Sequence, residues 1–205
     1  MSYDIIVLMI ILGIDPGTAT VGVGVIECDG EKVIPLHFGW IKTPKEDSAG
    51  KRLAQIHREM RTLIRKHQPD VMAIERLFFF ANHKTAMAVS ESIGVIKLAA
   101  ENEKVPTVSL APLEVKSAVA GNGRADKEAV KKAVRQILKV RSPKNKKTHF
   151  DDLCDALAVA ICYAKKNLLP KDDSLRYNIS KLKSKGKSQK RGYSRKNRSE
   201  RSKGL

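Results

Sequence analysis

The sequence predicts an α/β fold with a mixed central sheet and helices on both faces. Three observations lead there. The first forty residues carry apolar runs in hairpin order, and from residue 49 onward segments with helical spacing alternate with short apolar runs. One of those short runs, Val71-Met72-Ala73-Ile74, is apolar throughout, as a strand buried on both faces must be. At 205 residues the chain can bury one substantial core, which favours one domain with appendages over two full domains.

Taken in order, residues 1–9 read as a short leader to the first strand. Ile5 to Leu12 is strongly apolar but ends at Gly13 and Asp15, well short of the roughly 20 apolar residues a membrane span needs. Met9 marks an alternative start. From Ile10 to Ile26, two stretches rich in Ile and Val flank Pro16, Gly17 and Thr18, which predicts strand, tight turn and strand. A third strand follows at about Lys32 to Lys42. Between Ala49 and His67 the period changes, with Leu53, Ile56, Met60, Leu63 and Ile64 on one helical face, and Gln68-Pro69-Asp70 ends that helix. Val71 to Glu75 is a buried central strand, followed by a helix over about His83 to Glu103 and a strand over Pro106 to Leu110. A short helix over Leu113 to Ala120, the loop Gly121-Asn122-Gly123, and an amphipathic helix capped by Asp126 come next. Residues 141–149 form a basic loop and Asp151 to Lys165 a last helix. The folded body thus spans 10–168, and residues 169–205 form a tail.

Charge narrows the partners. Lys plus Arg number 39 against 22 Asp plus Glu, a net charge of +17, so a polyanion is the expected partner. Between residues 171 and 205 there are 13 basic and 3 acidic residues among Ser, Asn and Gly, with almost no aliphatic periodicity. Such a segment cannot bury enough apolar surface to offset its ordering entropy and is expected to be disordered. Polybasic segments bind phosphates through counterion release, whether as a specific DNA contact or a general one. Three cysteines without zinc-type spacing, and no signal-peptide pattern, point to a reducing cytoplasm and no membrane partner.

Four acidic residues stand where a core should continue. Asp15 and Glu75 each close an apolar strand, and open α/β sheets bind ligands outside strand ends. Asp15 before Pro-Gly is also ordinary turn chemistry. Glu75 has no such alternative, because a carboxylate ending so apolar a run needs a cation nearby. Asp152 and Asp155, three residues apart, share one face of an otherwise apolar helix. The helix dipole accounts for Asp151 and Asp152 in a first turn but less well for Asp155. Four convergent carboxylates repel one another unless divalent cations sit among them, and hard oxygen ligands select magnesium or manganese. Phosphoryl hydrolysis with two ions per site, Mg2+ with Mn2+ able to substitute, is the chemistry that suits them.

Leu12-Gly13-Ile14-Asp15-Pro16-Gly17, Ala73-Ile74-Glu75 and Asp152-Leu153-Cys154-Asp155-Ala156-Leu157 resemble, in order, the three acidic motifs of the RuvC family of Holliday-junction resolvases. The resemblance covers about residues 10 to 165. It implies a ribonuclease H-like fold, a homodimer, magnesium dependence and symmetric nicking of four-way DNA junctions during recombination and repair, with a branch-migration complex as a candidate partner. It also implies Asp15, Glu75, Asp152 and Asp155 as metal ligands, although Asp151 and His149 lie close enough to compete for the third acidic position. Phe78, the first of three consecutive phenylalanines after Glu75, is implied as a wedge that stacks on an unpaired base, and Lys116 and Lys127 as lysines near the scissile phosphate. Phe79 and Phe80 read equally as core or interface. The apolar surface of Val89 to Ala100, with Gly94 in it, suits a dimer seam or a sheet-covering helix.

Three rivals share these features. Gly13 to Thr18 also resembles a phosphate loop of actin-like ATPases, but those need two such domains, which this length cannot supply. A junction binder without chemistry would have lost the carboxylates. A relative acting on structured RNA would use the basic tail as its anchor.

Overall fold

The computed structural model describes residues 8–30, 32–76, 83–139 and 149–169; for residues 83–85 and 149–153 only the backbone course is described. Among the described residues five strands and five helices follow one another as β1 (Met9–Asp15), β2 (Thr20–Cys28), β3 (Val33–Lys42), α1 (Ala49–His67), β4 (Val71–Glu75), α2 (His83–Asn102), β5 (Thr107–Leu110), α3 (Pro112–Ala120), α4 (Lys127–Leu138) and α5 (His149–Asn167). The sheet order is β3-β2-β1-β4-β5, antiparallel in the hairpin half and parallel from β1 through β4 to β5. The expected mixed sheet is therefore present.

Local chemistry explains the boundaries. Ser48 Oγ accepts from the Lys51 amide to start α1, and Gln68, in the left-handed region at φ 47°, ends it. Two residues on, Asp70 locks the next strand to the first: its carboxylate accepts from the Ile10 amide at 2.7 Å and its own amide donates to the Ile10 carbonyl at 2.8 Å. That exchange places Ile11 opposite Val71 and so Ile14 opposite Ile74. Pro112 takes the first position of α3, where a missing N–H costs nothing, so this helix begins one residue before Leu113. The last helix begins at His149 rather than Asp151, so His149 belongs to α5 and not to a preceding loop. Acidic residues in an opening turn favour this extension.

Strand alternation sends side chains to two cores. Leu12, Ile14, Val21, Val23, Val25, Met72 and Ile74 pack with Ile56, Met60 and Ile64 of α1 and Ile96, Ala99 and Ala100 of α2. Ile11, Ile26, Val71 and Ala73 face the other way, against α5, with α3 and α4 packed around it. Helices thus cover both faces. Across the first of these layers, Glu103 accepts from Arg61 Nε at 2.6 Å and Arg65 Nε at 3.0 Å, tying the residue that follows α2 to α1.

The approach of α5 is unusually close. At Gly13 a Cβ would overlap the Ala156 carbonyl oxygen and lie 2.7 Å from the Ala160 nitrogen, and at its cross-strand partner Gly24 a Cβ would lie 2.9 Å from the Leu157 nitrogen. The helix backbone therefore rests on the bare strand backbone, which only glycine permits. No helix among the described residues is long and apolar enough to cross a membrane. Leu169, expected in the tail, packs in the core, and residues 170–205 of the tail and 1–7 of the leader lie outside the described residues.

Candidate active site

β1 and β4 are neighbours and run parallel, so Asp15 and Glu75 end adjacent strands at the same edge of the sheet. The period of two then decides their direction. Asp15 shares the face of Ile11, and Glu75 that of Val71 and Ala73, which is the face α5 covers. Asp155 of α5 immediately precedes Ala156, the residue that crosses Gly13 and Gly22, so it is delivered to the same corner. Glycine contacts in the sheet thus set how near the third carboxylate comes.

A cleft of about 230 Å³ opens over this corner, lined by Glu75, Asp155, Lys116, Lys127, Val115, Val130 and Ala158. Lys127, the first residue of α4, places its Nζ 2.9 Å from Asp155 Oδ2. Asp126 positions it by capping that helix, accepting from the Ala129 amide at 2.7 Å. α3 contributes Lys116 and is tied to α5 by Lys166 Nζ, which donates to Glu114 Oε1 at 2.6 Å.

Burial and neighbouring charge raise the proton affinity of Asp15 and Glu75. Burial, then the charge of Asp155, lifts Asp15 to about 6 despite Lys127. Burial, then Asp15 and Asp155, lifts Glu75 to about 7, opposed by Lys116 and Lys127. Both charged forms are disfavoured until a further cation arrives. All the donors are carboxylate oxygens, the set that hard divalent cations prefer. Among the described residues no group of three or more His, Cys, Asp or Glu closes around a single point as a metal cluster; the Asp152 side chain lies outside them.

Without metal, these raised values make folding stability depend on pH. A carboxyl whose folded pKa is raised favours folding below its unfolded value and loses that advantage as pH rises to the folded one. For Glu75 the loss accrues between about 4.5 and about 7, on the order of 3 kcal/mol. His37 and His67, stacked with ring centroids 4.9 Å apart and both held below their ordinary values by burial, oppose this trend. The quantity to measure is therefore a difference. Glu75→Gln is expected to gain stability over wild type progressively from pH 4.5 to 7 in denaturant melts with chelator, and a constant difference would contradict the assigned burial.

Of the residues singled out from sequence, Asp15, Glu75, Asp155, Lys116 and Lys127 come together here. Asp152 lies on α5 at the right end of the helix, but its side chain, like those of Asp151 and His149, is outside the described residues, as is Phe78. Sequence reasoning missed Gly13, Gly22 and Gly24; glycines two apart inside an apolar strand were the available signal of close backbone approach.

Comparison with known proteins agrees with this fold. Residues 11–163 match the family model described as crossover junction endodeoxyribonuclease RuvC. A RuvC from Moorella thermoacetica is 47% identical over 156 residues, 76% of this chain and 91% of the relative. One from Petrotoga mobilis is 42% identical over 155 residues, again 76% of this chain and 93% of the relative. Among solved structures, RuvC of Thermus thermophilus in complex with Holliday junction substrate is 33% identical, with a TM-score of 0.70 over 78% of this chain and 97% of that one. Its sheet, its helices and its sequence show that the chain belongs to the RuvC family of crossover junction endodeoxyribonucleases and is a nuclease.

Proposed function

We propose that this chain resolves four-way DNA junctions by two symmetric, metal-dependent nicks, with Asp15, Glu75, Asp152 and Asp155 as the ligands of two Mg2+ ions, replaceable by Mn2+. The observation that carries the site assignment is the delivery of Asp15, Glu75 and Asp155 to one corner from three separate elements, where burial and neighbouring negative charge disfavour the charged forms of Asp15 and Glu75. The substrate follows from the family and from the relative captured with a Holliday junction. Bound divalent ions supply nucleophile activation and stabilisation of charge on the phosphate and the leaving oxygen.

The chain's own residues do the rest. Asp15 and Glu75 end adjacent, paired strands, so the strand register brings them to one end of the sheet. Lys127 and Lys116 face the cleft with cationic Nζ groups that balance the carboxylates and attract the phosphate backbone. Lys127 exchanges its contact with Asp155 for a phosphate oxygen when DNA enters. Phe78, three residues beyond Glu75, stacks on a base exposed at the branch point. Recombination and repair in the cytoplasm, alongside a branch-migration complex, is the setting this activity fits.

Symmetric nicking needs two sites, and α2 offers the seam. Met87, Gly94 and Leu98 recur along one stripe of this helix; Met87 and Leu98 are 70% and 54% exposed, and nothing stands within 4 Å of a Cβ on Gly94. Leu98→Glu is expected to convert a dimer to a monomer in sedimentation, leaving junctions with single nicks. A variant that remains dimeric would move the seam elsewhere.

The proposal is tested by strand-mapped cleavage of a synthetic four-way junction, a linear duplex of the same sequence and a structured RNA. Paired nicks confined to the junction support it, and preferential cutting of the RNA would favour the RNA-processing reading.

A further inference from the structure

Asp15 is followed by a four-residue turn, Pro16 to Ala19, whose path sets where the carboxylate stands. Three consecutive carbonyls of that turn are held from outside it. Gly17 accepts from Ser92 Oγ of α2 at 2.9 Å, Thr18 accepts from Thr43 Oγ1 at 2.6 Å, and Ala19 accepts from the Thr43 amide at 3.1 Å. Arg52 of α1 in turn donates its Nε to Thr43 Oγ1 at 2.9 Å. Gly17 itself is pressed onto the chain, since a Cβ there would overlap the Thr20 carbonyl oxygen.

Ser92 and Thr43 are the buried polar residues among those described, Ser92 fully so. Ser92 is separated from Gly17 by 75 positions in sequence. An apolar residue would fill either site with less desolvation cost, so two hydroxyls spent on one turn call for a reason beyond packing. That turn carries no core of its own. It leads directly out of Asp15.

We infer that Ser92 and Thr43 are positioning residues that clamp the Pro16–Ala19 turn and thereby aim the Asp15 carboxylate at the metal ions of the active site. Partners of this outer kind commonly govern metal affinity by about 10- to 100-fold when removed. Because Ser92 projects from α2, the clamp also links the Asp15 corner to the helix assigned above as the dimer seam. The inference rests on the reading of Asp15 as a metal ligand.

The test measures Mg2+ binding by calorimetry on the full-length protein, together with the Mg2+ dependence of junction cleavage and the melting temperature in chelator. Ser92→Ala and Thr43→Val are expected to weaken Mg2+ binding and raise the half-saturating Mg2+ concentration by about 10- to 100-fold, and Thr43→Ser, which keeps the hydroxyl, to restore both. A role confined to stability would lower the melting temperature and leave Mg2+ binding at the wild-type value, which overturns the inference. Should Ser92→Ala fail to fold, the Thr43→Val and Thr43→Ser pair decides alone. If wild type binds no Mg2+, the ligand assignment of Asp15 fails and the inference falls with it, an outcome distinct from wild-type binding that the variants leave unchanged.

Discussion

Asp155→Asn is expected to lower junction cleavage by about 1,000-fold or more while junction binding persists. The magnitude follows from the several kcal/mol of charge stabilisation that a metal site supplies, at 1.36 kcal/mol per tenfold in rate. Binding persists because the exposed lysines and the sheet edge are unchanged. The same substitution is expected to raise the melting temperature of the metal-free protein at pH 8. Burial first, and the charge of Asp155 after it, push Asp15 and Glu75 up to about 6 and about 7, so at pH 8 both are ionised against its repulsion. Against that gain stands the lost contact with Lys127, whose side chain is 60% exposed, so the pair is worth no more than about 1 kcal/mol. Activity and stability moving in opposite directions would mark Asp155 as a residue kept for chemistry. Equal cutting by the two proteins would remove Asp155 from the site.

Gly13→Val is expected to abolish cleavage and to cost about 3 kcal/mol or more in stability, readable together in a denaturant melt and a nicking assay. The first atom of the new side chain collides with backbone, the Ala156 carbonyl and the Ala160 nitrogen, rather than with a side chain that can turn away. Overpacked cores typically lose 1–3 kcal/mol where side chains yield, and here the helix itself must lift. Lifting α5 withdraws Asp155 from Asp15 and Glu75. By contrast Gly50, in the first turn of α1, has nothing within 4 Å of a Cβ, and Gly50→Ala is expected to be neutral or to gain up to about 1 kcal/mol. A tolerated Gly13→Val with full activity would mean that α5 does not rest on β1 as described.

Where the chain announces its own boundaries, sequence and structure coincide. α1 and β4 begin and end on the residues expected of them, because Ser48, Gln68 and Asp70 act through bonds to near neighbours in sequence or to the adjacent strand. Asp15, Glu75 and Asp155 were legible for a related reason: each interrupts an apolar run that physical chemistry would otherwise continue. What could not be read was long-range geometry. The glycines of β1 and β2 that admit α5, the Lys127 contact with Asp155, and the reach of Ser92 across 75 positions depend on how elements meet, and no local pattern encodes that. Phe78 and the Asp152 side chain lie outside the described residues and rest on the sequence motifs alone.

The central claim is that carboxylates at one end of the sheet cut DNA only with a divalent cation. Cleavage of a four-way junction by chelator-treated protein, with Mg2+ added back in steps, tests it most directly. The account predicts no nicks without the ion and paired nicks on opposing strands as Mg2+ rises; equal nicking in excess chelator would contradict it.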